Sequence, residues 1–229
     1  MYLVAVADVA ILDVVPLVQY LGDAPMMPLA DATAAGFMLN VTLHLMAERS
    51  VRGTLSLAGE WGDSVHRDVA LPAGLSALSL TLKTTAGAVQ LWWPHGLGAQ
   101  RLYNVSVDLN LNGTAPVRDS RRIGFRVFHL VTTNASEHVA STDGSDDFSM
   151  FFRVNGASVF SRGANVVPME GLEGRISADA YIRLVRSAVD ANMNTLRVWG
   201  GSCSFMRCNG TAHNRFEVAN VSCRWGVHA

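Results

Sequence analysis

Arg197 and Trp199 stand two residues apart at the end of the run Ala191–Gly201, just ahead of Gly200 and Gly201. An arginine is a fixed cation whose forked donors bind hydroxyls and carboxylates. A tryptophan next to it supplies a flat face that stacks on a sugar ring. The run reads as a short buried strand, and the segment before it has helical spacing. With a further strand upstream, this order makes a parallel strand–helix–strand unit. In barrels built from such units, chemistry gathers at the C-terminal ends of the strands. The pair therefore suits a carbohydrate pocket.

Two other sets of residues invite a chemical reading. Cys203, Cys208, His213, Cys223 and His228 are types that ligate tetrahedral zinc. Their spacing is looser than a zinc knuckle's, there are five candidates for four positions, and no hydrophobic mini-core accompanies them. No metal site is assigned. Glu170 and Glu173 lie in a Gly-rich loop whose carboxylate separation is uncontrolled, so they read as solvated loop residues.

The elements that must position Arg197 and Trp199 begin at residue 148. Phe148–Val154, Asn155–Gly156 and Val159–Phe160 read as a hairpin with a tight turn. Residues 163–168 read as a short strand closed by Pro168. Ser177 is a candidate N-cap, with Asp179 in the first turn where the helix dipole favours negative charge. Tyr181, Leu184, Val185, Ala188 and Asn192 then recur at helical spacing.

Residues 1–133 read as all-β. Residues 37–45 alternate strictly, with Phe37, Leu39, Val41, Leu43 and Leu45 on one face. So do Tyr103, Val105, Val107, Leu109 and Leu111. Leu78, Leu80 and Leu82 form shorter runs of the same kind, as do Ile123, Phe125 and Val127. Val51, Leu55 and Leu57 make a weaker run with an expected bulge at Gly53. Period-two runs punctuated by Gly, Pro and Asn predict an immunoglobulin-like β-sandwich of two sheets. Asp23–Gly36, rich in Ala, Pro and Met, is a loop on its rim. Residues 134–147 are polar and acidic and read as a linker. After Ser202 no apolar period survives, and residues 203–229 read as an irregular tail that suggests a changed reading frame.

Composition narrows the function classes. Hydrophobic residues make up 49% of the 229-residue chain and charged residues 16%, enough apolar surface to bury a core. The net charge of -1 gives no basic surplus for nucleic acid. No apolar run approaches the roughly 20 residues of a spanning helix, so no membrane role is expected. Tyr2–Ala7 is apolar but lacks a basic start and is soon followed by Asp8 and Asp13. It does not read as a signal peptide. Sequons nevertheless occur at Asn40, Asn104, Asn112, Asn134, Asn209 and Asn220. Chance would supply about one or two, so a lysosomal or secreted route is expected, with glycans on Asn40, Asn104, Asn112 and Asn134.

Leu91-Trp92-Trp93-Pro94-His95-Gly96-Leu97-Gly98-Ala99-Gln100-Arg101-Leu102-Tyr103 resembles a turn motif of the sandwich domains of glycoside hydrolase family 2. Paired tryptophans beside Pro and Gly anchor a turn on an apolar patch, so its expected role is packing between sandwich and barrel. Ile123-Gly124-Phe125-Arg126, Phe152-Arg153-Val154-Asn155-Gly156 and Arg162-Gly163-Ala164-Asn165 resemble the family's junction between the two. Leu196-Arg197-Val198-Trp199-Gly200-Gly201 is similar to the second barrel strand of the family's β-mannosidase branch. The resemblance covers about residues 1–202, weakly before residue 90.

The fold it implies is a mainly β sandwich followed by a truncated (β/α)8 TIM barrel over 148–202, holding the first βαβ only. The resemblance places Arg197 beneath the catalytic pocket, where it helps hold a nucleophilic carboxylate ionised. Trp199 becomes a wall of the mannose subsite, and Asn165 the asparagine after the first barrel strand. The family has a tryptophan after that asparagine, and here Val166 stands there. The implied substrate is a β-mannoside oligosaccharide or glycoprotein glycan, with no cofactor. The implied mechanism is retaining hydrolysis by two glutamates on the fourth and seventh strands. The sequence holds no Asn-Glu dipeptide of the kind that carries the family's acid, so no catalytic residue is assigned and the chain alone is expected to be inactive. The alternative is a non-catalytic sandwich module that binds carbohydrate or protein.

Overall fold

Strict alternation builds the two central strands of the computed structural model. The structure describes residues 8–111, 116–131, 150–167 and 177–198. Contacts divide the chain into two compact units. The first holds residues up to Leu91 and Arg101–Val127, and the second holds Trp92–Gln100 and residues from Phe128 onward.

The first unit contains β1 (Val9–Tyr20), β2 (Phe37–Ala47), β3 (Val51–Gly59) and β4 (Ser64–Leu71). It continues with β5 (Gly74–Lys83), β6 (Tyr103–Leu111) and β7 (Val117–Ile123). They form two antiparallel sheets, ordered β1-β2-β5 and β4-β3-β6-β7. Strand β2 lies between two neighbours and buries Phe37, Leu39, Val41, Leu43, Leu45 and Ala47 on one face. Strand β6 does the same with Tyr103, Val105, Val107, Leu109 and Leu111. Each buried valine, leucine or phenylalanine among them stabilises the sandwich by about 1.5–3 kcal/mol.

Phe125 is the centre of this unit's aromatic cluster. It is fully buried and meets Phe37, Trp61 and Tyr103 at ring-centroid distances of 5.1, 5.0 and 5.5 Å. Trp61 meets it edge-on, and its indole N–H donates to the Lys83 carbonyl at 3.0 Å. The Asp23–Gly36 segment is a loop, as expected, with one 3-10 turn at Asp31–Thr33. Asp31 Oδ1 accepts the Leu91 N–H at 2.8 Å and fastens the loop.

The expected bulge at Gly53 is absent. The register of β3 on β4 runs unbroken through Gly53, and the pairing with β6 starts there, with Gly53 opposite Leu111. The glycine is needed for space, because a Cβ there would overlap the Asn110 carbonyl oxygen. The irregularity in the described sheets falls instead in β1, between Ile11 and Asp13.

In the second unit, β8 (Phe128–Val131), β9 (Phe151–Val154) and β10 (Ala157–Val159) form an antiparallel sheet ordered β10-β9-β8. The turn between β9 and β10 is Asn155–Gly156, with φ of 49° and 81°. Two left-handed residues make this the tight turn that suits the twist of a hairpin. Next come β11 (Gly163–Val166), α1 (Ala178–Asp190) and β12 (Thr195–Val198), with β11 and β12 parallel. Among the described residues this parallel sheet has two strands. The expected linker at 134–147 and the tail from 203 lie outside them.

Both ends of α1 are capped. Ser177 Oγ accepts the Ala180 N–H at 3.3 Å. At the other end the Met193 N–H donates to the Ala188 carbonyl and the Asn192 N–H to the Val189 carbonyl. This is a Schellman motif, with Asn192 left-handed at φ 55°. Asn192 thus ends the helix and is exposed; it does not extend the apolar stripe as its spacing suggested. Ala188, Val166 and Leu196 form the core under the helix, with Leu184 and Met193 packed against it.

Candidate functional site

The parallel pairing sets Asn165 directly opposite Arg197. Matched residues on neighbouring strands share a face, and here both side chains are exposed. Arg197 Nη1 donates to Asn165 Oδ1 at 3.2 Å. Two of the three residues expected at the sugar site are thereby brought together near the C-terminal ends of β11 and β12. The third, Trp199, lies outside the described residues.

Val166, where the resemblance expects tryptophan, is buried with Ala188 and Leu196. Successive residues of a strand face opposite ways. The substitution therefore falls on the helix-covered face, and the face carrying Asn165 is untouched by it.

The pairing needs two small devices. A Cβ on Gly163 would overlap the Thr195 carbonyl oxygen, so only glycine lets the strands start this close. Asn194, buried at 8% exposure, bonds to the chain around Phe160–Arg162 just before β11. Asn194 was not legible as a site residue, since it stands between Met193 and Thr195 in a locally polar run and carries no periodic signal.

The tryptophan loop of the second unit closes on itself. Trp92 bridges to Gln100, the Trp93 N–H donates to the Ala99 carbonyl at 2.9 Å, and the Leu97 N–H donates to the Pro94 carbonyl at 3.0 Å. Fully buried Asn155 donates through Nδ2 to the Trp92 carbonyl at 2.9 Å, tying the loop to the hairpin turn. Trp92 itself is buried and has no face open to a sugar. Just after the loop, in the first unit, Arg101 lies 4.7 Å over the Tyr103 ring and donates to Glu60 at 2.9 Å. Tyr103 and Glu60 together hold its pKa above the ordinary value.

Of the sequons, Asn104 is exposed on β6. Asn40 is half-buried on β2, and its Oδ1 accepts the Thr81 hydroxyl at 2.7 Å. Asn112 and Asn134 lie outside the described residues, as do Asn209, Asn220, Glu170, Glu173 and the cysteine–histidine set. No helix among the described residues is long and apolar enough to cross a membrane.

Residues 26–126 match the family described as glycosyl hydrolases family 2. The chain is 29% identical over 188 residues to the β-mannosidase of Rattus norvegicus, covering 80% of this chain and 20% of that protein. It is 35% identical over 171 residues to β-mannosidase A of Aspergillus niger, covering 71% of this chain and 18% of the relative. It thus spans about a fifth of the length of these relatives. Among solved structures, the β-D-mannosidase of Dictyoglomus thermophilum superposes with a TM-score of 0.60 at 25% identity, over 85% of this chain and 22% of that one. An exo-chitosanase from Amycolatopsis orientalis has the same TM-score of 0.60 at 18% identity, over 85% of this chain and 20% of its own, which reflects the fold alone. Residues 26–126 are accordingly a glycosyl hydrolase family 2 segment, and the chain resembles the matching portion of that family's β-mannosidases.

Proposed function

We propose that the chain is the portion of a retaining β-mannosidase that carries an immunoglobulin-like sandwich and opens the catalytic (β/α)8 barrel. The observation that carries this reading is Arg197 beside Asn165 near the C-terminal ends of two parallel strands. Barrel enzymes place their chemistry at that end. A fixed guanidinium there lowers the pKa of a nearby carboxylate and keeps a glutamate nucleophile ionised. Asn165 Oδ1 is engaged by Arg197, and its Nδ2 is the donor we assign to a sugar hydroxyl. Trp199 is assigned the stacking face.

The substrate is a terminal non-reducing β-D-mannose on an oligosaccharide or glycoprotein glycan. One glutamic acid protonates the glycosidic oxygen as the bond to the anomeric carbon breaks. A second glutamate, about 5.5 Å away, attacks that carbon, and water then releases mannose. In this reading both glutamates belong to later strands of the barrel, so the 229-residue chain alone does not hydrolyse mannosides. A lysosomal or secreted setting, with glycans on Asn40, Asn104, Asn112 and Asn134, completes the proposal.

The test is a chimera in which the matching segment of the Aspergillus niger relative is replaced by this chain's residues. It should hydrolyse p-nitrophenyl β-D-mannoside, and Arg197→Lys should lower its kcat by about 100-fold or more. A folded chimera that prefers a β-galactoside or β-glucuronide sinks the reading. Mannobiose binding by the chain alone that Arg197→Lys leaves unchanged would favour a non-catalytic carbohydrate-binding module.

A further inference from the structure

Asn194 is one of three buried polar residues among those described, with Thr84 and Asn155. Its side chain spans the start of the parallel pair. Oδ1 accepts the Arg162 N–H and the Thr195 hydroxyl, each at 2.9 Å. Nδ2 donates to the Phe160 carbonyl at 3.0 Å. The backbone completes the clamp, because the Arg162 carbonyl accepts from the N–H groups of Asn194 at 2.9 Å and Thr195 at 3.2 Å. Both polar groups of the Arg162 backbone are therefore engaged by residues 194 and 195.

This clamp stands one step before the first matched pair, Gly163 with Thr195. Two steps later come Asn165 and Arg197. With only four residues on each strand, β11 and β12 have little ladder of their own to define their register. A slip of one residue would place Arg197 opposite Ala164 or Val166 and turn it to the other face. The fixed start supplied by Asn194 excludes that slip.

We propose that Asn194 is the positioning residue of the sugar site: its Oδ1 sets the register of β12 on β11 and so holds Arg197 beside Asn165. Its functional weight rests on the reading of Arg197 and Asn165 as substrate-binding residues. Asn194 touches no substrate. A merely stabilising Asn194 would affect how readily the second unit unfolds but leave the pair in contact whenever it is folded.

Nuclear magnetic resonance of the full labelled chain separates these roles. The wild type should show a nuclear Overhauser contact between the Arg197 guanidinium and the Asn165 amide. Asn194→Leu, which removes every side-chain hydrogen bond, should abolish the contact and speed exchange of the β12 amides at least about tenfold. Exchange in β2 and β6 should not change. Asn194→Asp keeps the accepting oxygen and, at an acidic pH where its carboxyl is protonated, also a donor to the Phe160 carbonyl, so under that condition it should retain the contact, which also guards against a leucine variant that fails to fold. A folded Asn194→Leu that keeps the contact overturns the proposal, and so does a folded Asn194→Asp that loses it at that pH. In the chimera, Asn194→Leu should lower kcat more than it raises KM, with recovery in Asn194→Asp at that pH. If the unsubstituted chimera has no mannosidase activity while the register measurements come out as expected, the sugar-site reading has failed and the positioning of the pair stands.

Discussion

Replacing Phe125 tests whether the aromatic cluster is central to the stability of the sandwich. The ring is fully buried against three other aromatic rings at 5.0–5.5 Å. Phe125→Ala removes the ring and leaves a cavity, a change that costs about 3–5 kcal/mol in buried sites. Phe125→Leu keeps most of the apolar volume but loses the ring pairings, each contributing about 0.5–1.5 kcal/mol. The three pairs share one ring and are not additive, so about 2 kcal/mol is expected for leucine. A domain is stable by about 5–15 kcal/mol, so alanine would remove a large fraction and leucine a modest one. Urea unfolding followed by tryptophan fluorescence is the assay, since the Trp61 ring stands against Phe125. Far-UV circular dichroism supplies a second probe, and an unchanged slope shows that the same surface unfolds. Leu75→Ala is the control, because Leu75 is 72% exposed and its loss should cost less than about 0.5 kcal/mol. The reasoning is refuted if Phe125→Leu unfolds at the wild-type midpoint, or if Phe125→Ala costs no more than Leu75→Ala.

Gly163→Ala should force β11 away from β12 and cost the second unit about 1–3 kcal/mol, read as faster amide exchange in β12 with none in β2. Asn192→Ala should destabilise the last turn of α1 by about 1 kcal/mol, whereas Asn192→Gly should match or exceed the wild type. Helix-resolved amide exchange reads both. Arg118→Ala breaks a 2.6 Å ion pair with Asp108, yet Arg118 is well exposed. Its loss should cost less than about 0.5 kcal/mol, checked by the urea midpoint.

Strands β2 and β6 were legible because each is a central strand with one face wholly in the core, and burial imposes the period of two. Strands β1 and β4 were not singled out. In β1 a register shift breaks the alternation, and Leu12 and Leu17 are exposed. Strand β4 lies at a sheet edge and buries little beyond Val69 and Leu71. The hairpin was legible from Asn155–Gly156, since few residue pairs tolerate two left-handed conformations in succession. Ser177 announced the helix start through capping chemistry, but Asn192 misled because an asparagine on the helical period can equally be the residue that ends the helix. Arg197 stood out by residue type, and Asn165 by resemblance alone. Their contact depends on register, and Asn194, which fixes that register, carries no periodic signal. The chemistry of the site was thus easier to read than the geometry that assembles it.

The buried Asn155–Gly156 turn also governs how the protein ages. An asparagine followed by glycine is the pair most prone to deamidate, because the glycine nitrogen readily attacks the side-chain carbonyl carbon and expels ammonia. Here that amide is fully buried and its nitrogen donates to the Trp92 carbonyl. Cyclisation therefore proceeds through the fraction of molecules in which the turn has opened, and each 1.4 kcal/mol of local stability slows it about tenfold. Water then opens the resulting succinimide to aspartate or isoaspartate, which sets a carboxylate against a carbonyl oxygen where a donor is required. A molecule that opens long enough to lose that nitrogen cannot remake the bond, so the turn acts as a one-way clock on the tryptophan loop.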